Sequence, residues 1–98
     1  MSVYAVRYDY SEQVAARDEH RPAHRAFLAA LADDGALLLS GPFADSPDGA
    51  LIVLEADDAE AARALLREDP FQQQGLVESV TVREWALVLG SWLPSNPS

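Results

Sequence analysis

His24 and Asp69 are the two residues of this sequence whose types suggest chemistry. His24 stands where the surrounding pattern favours an apolar residue, because it lies three positions before Phe27 and four before Leu28 on one helical face. A buried imidazole needs a hydrogen-bond partner, since a buried polar group without one costs about 1–3 kcal/mol. Asp69, far along the chain, is the partner that we predict.

An aspartate that accepts a hydrogen bond from one imidazole nitrogen fixes the tautomer and leaves the other nitrogen able to take a proton. His24 paired with Asp69 would therefore be a general base. It could remove a proton from an acidic carbon or a phenol, so that a leaving group such as halide departs or a double bond shifts. The alternative is that the two side chains form a buried structural bond between the helices that carry them. Both interpretations are open from the residues alone.

Three residues at the end of the second predicted strand, and one after the second helix, complete the candidate site. The hydroxyl of Ser40 and the backbone N–H of Gly41 could bind a carbonyl or phenolate oxygen on which negative charge develops, with Pro42 beside them. Phe71 would provide an apolar wall for a small ring. We therefore predict a substrate-binding set of Ser40, Gly41, Pro42 and Phe71.

Other residue types give weaker signals. His20 and His24 have the spacing of two metal ligands on a helix, but no third ligand follows at a companion spacing, so no metal site is predicted. Arg7, Arg21 and Arg83 could clamp a substrate carboxylate. The chain has no cysteine, no phosphate-binding glycine loop, no nucleophile elbow and no dinucleotide fingerprint. No cofactor is therefore expected.

Length and charge limit the possible partners. The 98 residues suit one domain, which we place at residues 1–90 with a C-terminal tail at 91–98. Sixteen acidic residues against seven arginines give a net charge of −9, which disfavours nucleic acid and anionic membranes. No apolar run is long enough for a membrane span and no signal peptide is evident, so we expect a cytoplasmic protein.

The elements that must position the site follow the order strand, helix, strand, strand, helix, strand. The first helix should begin near His20 or Arg21, because Pro22 fits a first helical turn, and end at Gly35. This order predicts an α+β, ferredoxin-like βαββαβ fold with one antiparallel sheet and both helices on one face. The predicted strands cover 2–9, 36–40, 50–55 and 77–89, and the second helix covers 59–67.

The uncovered face of that sheet predicts a homodimer in which two sheets pack face to face. The side chains expected to supply this apolar face, directly or through their alternates, are Val3, Ala5, Tyr8, Ile52, Leu54, Val80 and Val82.

Several short motifs together resemble the YCII-related family over nearly the whole chain. They are Arg21-Pro-Ala-His24, Gly35, Ser40-Gly-Pro42, Gly49, Asp69-Pro-Phe71 with Gly75-Leu76 after it, and Trp85. The resemblance implies a dimeric α+β barrel of ferredoxin-like protomers, with His24 and Asp69 as the active pair of a pocket. The best-defined activity in the family is that of a related dehalogenase acting on chlorinated hydroxyquinone-type compounds, and similar barrels include muconolactone isomerases and antibiotic-biosynthesis monooxygenases, so the resemblance implies the fold more closely than the chemistry.

The expected function is therefore cofactor-independent general acid/base chemistry of the dehalogenase, lyase or isomerase type on a small cyclic or aromatic molecule. The alternative is a non-catalytic dimer that binds a small ligand or a protein partner, with the His24 and Asp69 pair serving structure.

Overall fold

The computed structural model describes residues 1–93, which form one four-stranded antiparallel sheet with helices on one face. The strand order is β2-β3-β1-β4, so the predicted α+β, ferredoxin-like fold is confirmed. The elements are β1 (Ser2–Tyr10), α1 (Val14–Asp33), β2 (Leu37–Pro42), β3 (Gly49–Ala56), α2 (Ala59–Leu66), α3 (Pro70–Gln73) and β4 (Val77–Glu84).

The core lies between the sheet and the helices and is built on β1, the strand between β3 and β4. Alternate residues of β1, namely Tyr4, Val6 and Tyr8, are buried towards the helices. In the β1–β3 ladder Val6 lies opposite Ile52, which is fully buried on the same face. Leu28 brings α1 onto this layer. The sheet therefore fixes the position of every side chain that rises from β1 towards the helices.

The first helix begins earlier than the sequence predicts. The expected start near His20 or Arg21 is wrong, because α1 begins at Val14 and contains Pro22 in its interior. A proline there removes one backbone hydrogen bond and typically costs about 3 kcal/mol. Contacts from outside the helix must therefore hold the turns that precede Pro22.

Arg17 provides those contacts. Its buried guanidinium donates to the carbonyl oxygen of Ser11 at 2.7 Å and to the carboxylate of Asp48 at 2.6 Å. The same group lies over the ring of Tyr10, 4.8 Å from its centroid. The residues expected to form an irregular connection are thus tied to the loop before β3 and form the first turns of α1.

The second strand runs further than expected. Gly35 follows α1 with a φ of 83°, as the sequence predicts for the end of this helix, and β2 starts at Leu37. The strand does not stop at Ser40 but continues to Pro42, which lies opposite Ala50. A proline is tolerated there because β2 is an edge strand with only β3 beside it.

A short helix, α3, replaces the irregular segment expected after α2. Asp69 precedes it as the N-cap, and one of its carboxylate oxygens accepts from the N–H of Phe71 at 3.0 Å. Pro70 occupies the first turn, where its missing N–H costs nothing. Asp69 is therefore held by local backbone geometry as well as by its long-range contacts.

The last strand is shorter than predicted, because β4 ends at Glu84 rather than at residue 89. Glu84 lies opposite Tyr4, and Trp85 donates its N–H to the carbonyl of Val3 at 2.8 Å, so β1 offers almost no further chain to pair with. Of the predicted tail, residues 94–98 lie outside the described part of the chain. The exposed apolar side chains after β4 are Trp85, Leu87, Val88, Leu89 and Trp92.

The residues that cover the outward face of the sheet also differ from those predicted. Val3 and Ala5 do lie on that face, where Val53 of β3 lies opposite Ala5 and Leu51 lies opposite Arg7. The other members of the predicted set are wrong, because they share the register of Tyr8 and so point towards the helices. These inward residues are Tyr8, Ile52, Leu54, Val80 and Val82. No helix within residues 1–93 is both long and apolar enough to cross a membrane.

Candidate active site

His24 and Asp69 meet beneath a cavity between α1 and the sheet. The Nδ1 atom of His24 lies 2.8 Å from one carboxylate oxygen of Asp69 and 3.0 Å from the other. His24 is 7% exposed and Asp69 is completely buried. The apolar stripe of α1 carries the first residue and the cap of α3 carries the second, so two separate elements produce the pair.

The carboxylate of Asp69 accepts hydrogen bonds from three groups. Besides His24, the hydroxyl of Tyr8 donates to Oδ2 at 2.8 Å and the N–H of Phe71 donates to Oδ1 at 3.0 Å. Gln72 donates its amide N–H to the oxygen of Tyr8 at 3.0 Å, which directs the tyrosine proton towards Asp69. This arrangement suits an ionised carboxylate, because every neighbour that reaches it is a donor.

Tyr8 stays protonated in this network. Its burial raises the pKa of its hydroxyl far above the ordinary value for tyrosine, and the charge of Asp69 raises this pKa further. The hydroxyl therefore serves as a fixed donor to Asp69 and does not compete with His24 as a base.

The second nitrogen of His24 is the one available for chemistry. Since Asp69 accepts, Nδ1 carries the proton in the neutral ring and Nε2 carries the lone pair. Nε2 has no hydrogen-bond partner within residues 1–93. It is nevertheless not fully buried, because Nε of Arg17 is the only fully buried side-chain nitrogen or oxygen in that range without a partner. Nε2 is thus accessible to solvent from the cavity that His24 lines.

Aromatic contacts fix the plane of the imidazole. The rings of His24 and Phe71 stack with centroids 3.9 Å apart and an interplanar angle of 2°. Tyr10 then packs edge-on against Phe71, with a centroid distance of 5.5 Å. Phe71, which the sequence suggests as an apolar wall for a substrate ring, lines the cavity but presents one face to His24. Its first role in the structure is to orient the histidine.

The cavity has a volume of about 440 Å³, within the range of pockets that hold small ligands. Ser40, Gly41 and Pro42 line it from β2, as the sequence analysis expects, and His24 and Phe71 line it from the helical side. The structure thus brings all of these predicted residues to one cavity, with Asp69 buried behind His24. The full lining is Tyr10, Arg21, His24, Arg25, Leu28, Ala29, Leu37, Ser40, Gly41, Pro42, Ala50, Ile52 and Phe71.

The three arginines proposed as a carboxylate clamp do not lie together. Arg21 lines the cavity, and its guanidinium also contacts Asp18 at 2.5 Å. Arg7 forms an exposed pair with Asp9, and Arg83 lines a separate cleft on the outward face of the sheet. Arg25, which the sequence analysis does not single out, lines the cavity beside Arg21.

The sequence analysis does not identify two members of the network, Tyr8 and Gln72. Tyr8 belongs to the inward alternation of β1, and the need of a buried tyrosine hydroxyl for a partner is a signal that could identify it. Gln72 is an ordinary polar residue in the printed sequence, and nothing in its neighbourhood marks it as a donor to Tyr8.

His20 does not join His24 in a ligand set. His20 is absent from the cavity lining, and Nδ1 of His24 is occupied by Asp69. Within residues 1–93, no group of three or more His, Asp or Glu side chains is arranged to hold a metal ion.

Comparison with known families gives a match along most of the chain. The family model described as the YCII-related domain matches residues 1–86. Protein YciI of Escherichia coli O6:H1 is 35% identical over 89 residues, which span 82% of this chain and 91% of that protein. The uncharacterized protein YjpA of Bacillus subtilis is 38% identical over 69 residues, covering 70% of this chain and 79% of YjpA.

A solved structure shares the fold at lower sequence identity. It is the 5-chloro-2-hydroxyhydroquinone dehydrochlorinase TftG of Burkholderia phenoliruptrix AC1100, in complex with 2,5-dihydroxybenzoquinone. The two chains superpose with a TM-score of 0.74 and 19% identity, over 86% of this chain and 93% of TftG. At this identity the likeness establishes the fold alone.

Proposed function

The chain belongs to the YCII-related domain family, and from that premise we propose that it is a cofactor-independent enzyme with His24 as its general base. Asp69 would be the orienting partner of the base, and the substrate would be a small cyclic or aromatic molecule. The observation that carries the proposal is the geometry of the imidazole. Nδ1 is bound to a buried carboxylate while Nε2 opens into a cavity of suitable size.

In the proposed reaction, Nε2 of His24 takes a proton from a phenol or an acidic carbon of the bound molecule. The resulting imidazolium lies against Asp69, whose negative charge stabilises it. Because Tyr8 and the N–H of Phe71 hold the carboxylate, Asp69 does not need to move as the charge forms. The proton then returns to the product or passes to solvent through the cavity.

The β2 side of the cavity would bind the oxygen on which negative charge develops. Ser40 would offer its hydroxyl as a donor there, and Gly41 lines the same side of the cavity without a side chain that limits approach. No Cβ contact restricts Gly41, since a Cβ placed on it meets no atom within 4 Å. Pro42 and Phe71 complete the apolar boundary around a small ring.

The reaction of TftG suggests the substrate class to test first. Loss of HCl from a chlorinated trihydroxybenzene yields a hydroxyquinone, with one proton removed by a base and chloride departing with the electron pair of its bond to carbon. The step balances without an external oxidant, so it fits a site that uses only acid/base groups. We propose that this chain catalyses an elimination or isomerisation of this kind.

We also propose that the protein acts as a homodimer formed through the outward face of the sheet. That face carries apolar side chains on its two central strands, and exposed apolar residues follow β4 at its edge. We propose the cytoplasm as the location, as the sequence analysis expects.

The test is chloride release from 5-chloro-2-hydroxyhydroquinone by the wild type and by His24→Gln. Removing a general base should lower kcat by about 100-fold or more while the variant keeps its fold, as judged by circular dichroism and urea unfolding. His20→Gln is the matched control, because it removes the other histidine and leaves the cavity lining intact. Equal activity of wild type and His24→Gln would contradict the proposal.

The same experiment addresses the alternative of a non-catalytic binding dimer. If His24→Gln no longer folds and the wild type turns over neither this compound nor related phenols and lactones, the pair is structural. Binding of a small molecule without turnover would then be the function that the cavity supports.

A further inference from the structure

We infer that the cavity above His24 binds its ligand as an anion, with an ionised phenolate or carboxylate oxygen held by Arg25 together with Arg21. The inference rests on the proposed function of this site, since it assigns the charge of the molecule that His24 would act on. The observations that carry it are the composition of the cavity lining and the pairing of its arginines.

The charged residues that line the cavity are opposite in sign to the net charge of the protein. The chain carries a net charge of −9, yet the described residues that line the cavity include Arg21 and Arg25 and neither Asp nor Glu. Asp69, the nearest carboxylate that the site uses, is fully buried behind His24 and is occupied by three donors. Two of the seven arginines of the chain therefore face one small cavity without a carboxylate in its lining.

Arg25 has no partner within residues 1–93. Arg21 is shared with Asp18 on the same helix, while Arg25 makes neither a hydrogen bond nor an ion pair with any described residue. The two arginines are four positions apart on α1, a spacing that places like charges side by side and disfavours the helix. An anion between them would offset that repulsion.

The helical spacing also places this charge beside the base. Arg21, His24, Arg25 and Leu28 occupy positions i, i+3, i+4 and i+7 of α1, which form one face of the helix. A guanidinium binds the two oxygens of a carboxylate, or neighbouring oxygens of a hydroxyquinone, through parallel N–H donors.

The remaining lining defines the rest of the ligand. Leu28, Leu37 and Ile52 provide an apolar floor from α1, β2 and β3, and Phe71 closes one side. This combination suits a flat ring that carries at least one ionised oxygen. A neutral ring would leave the guanidinium of Arg25 without a partner of opposite charge in the complex.

The test compares anionic and neutral rings of matched shape by isothermal titration calorimetry. The pairs are benzoate with benzamide, and 2,5-dihydroxybenzoquinone with hydroquinone, so that one arm reports on a carboxylate and the other on ionised quinone oxygens. The wild type should bind at least one anion about tenfold more tightly than its neutral counterpart, and added NaCl should weaken the binding of that anion. Equal affinity within both pairs, or no binding of either anion, would overturn the inference.

Arg25→Gln should weaken anion binding about tenfold and leave the binding of the neutral ring unchanged. Arg63→Gln on α2 is the matched control, because it makes the same charge change away from the cavity. Arg25→Lys should restore part of the affinity, since the charge returns without the paired donors. An anion affinity that falls equally in Arg25→Gln and Arg63→Gln would show a general charge effect and overturn the inference.

Binding and turnover separate this inference from the proposed function. If His24→Gln binds the anion as tightly as wild type while no substrate is turned over by either protein, the anion site stands and the enzyme proposal fails. If turnover depends on His24 but Arg25→Gln changes neither Kd for the anions nor KM, the enzyme proposal stands and the anion site fails.

Discussion

The His24 cavity and a second cavity of nearly equal size, both formed by residues 1–93, differ in the buried groups beneath them. The His24 cavity has a volume of about 440 Å³ and covers a buried network of His24, Asp69, Tyr8 and Gln72. A second, acidic cavity of about 480 Å³ lies beyond the end of α1. Its lining consists of Met1, Asp34, Gly35, Ala36, Glu55, Ala56, Asp57, Ala61, Ala64 and Leu65.

The difference shows that volume alone does not identify a site. The carboxylates of Asp34 and Asp57 are exposed, so they cost little and interact with water. Asp69 is fully buried, and burial of a carboxylate is expensive unless donors surround it. The protein supplies three such donors to one side chain beside the His24 cavity. This concentration of buried polar groups supports the proposal that His24 is a positioned reactive group.

The largest expected difference between the two cavities comes from removing one carboxylate in each. Asp69→Asn should lower the free energy of unfolding by about 3 kcal/mol, because the amide cannot accept from all three donors that now share Asp69. Asp34→Asn should change it by less than about 0.5 kcal/mol, since Asp34 is exposed at the end of α1. Urea unfolding of both variants measures the difference. Equal losses would remove the distinction between the two regions.

The next largest effect is expected from replacing one glycine in each region, Gly49 beside Tyr8 of the His24 network and Gly35 in the lining of the acidic cavity. A Cβ on Gly49 would overlap the carbonyl oxygen of Tyr8 in the neighbouring strand, so Gly49→Ala should cost about 2 kcal/mol. A Cβ on Gly35 meets nothing within 4 Å, but its φ of 83° is unfavourable for alanine, and Gly35→Ala should cost about 1 kcal/mol. Gly49→Ala should also reduce chloride release because it displaces Tyr8, whereas Gly35→Ala should not. Loss of activity in Gly35→Ala alone would argue against this account.

The smallest expected effect concerns the tyrosine of the network and its dependence on pH. The raised pKa of Tyr8 means that the folded state holds the phenol proton more tightly than the unfolded chain, in which the pKa is near 10.0. The contribution of Tyr8 to the free energy of unfolding is therefore fully present below that pH. It declines as pH rises above that value, by at most about 1.4 kcal/mol per pH unit. Tyr8→Phe should remove this part of the decline and cost about 1 kcal/mol at neutral pH through the lost hydrogen bonds.

Urea unfolding of wild type and Tyr8→Phe at a series of alkaline pH values measures this effect. The two stability curves should run parallel below about pH 10 and converge above it. Curves that stay parallel throughout would show that Tyr8 does not lose a proton on unfolding, and its place in the network would need revision.

The sequence predicts the fold and much of this site because both depend on periodic patterns. The alternation of β1 and the apolar stripe of α1 give the element order, and the same stripe marks His24 as buried. Asp69 could be chosen as its partner because Asp69-Pro70 marks a turn after α2 and the family motif contains it. The meeting of these residues follows from the antiparallel topology.

What the sequence does not predict depends on contacts between distant segments. Helix α1 starts at Val14 because Arg17 is bound by Ser11 and Asp48, and no local rule shows that a tertiary contact will sustain a helix through Pro22. The sequence places five inward-facing residues on the outward face because the strands carry apolar groups on both faces; these are Tyr8, Ile52, Leu54, Val80 and Val82. A shift of one residue then exchanges the two faces.

The most direct test of the central claim is a long-range proton–nitrogen NMR correlation of the two imidazoles, recorded without and with 2,5-dihydroxybenzoquinone. His20→Gln assigns the remaining signals to His24. We expect the neutral ring of His24 to carry its proton on Nδ1, and the Nε2 signal to shift when the quinone is added. A proton on Nε2 with a bare Nδ1, or an Nε2 signal that the ligand leaves unchanged, would contradict a base held by Asp69 and open to the cavity.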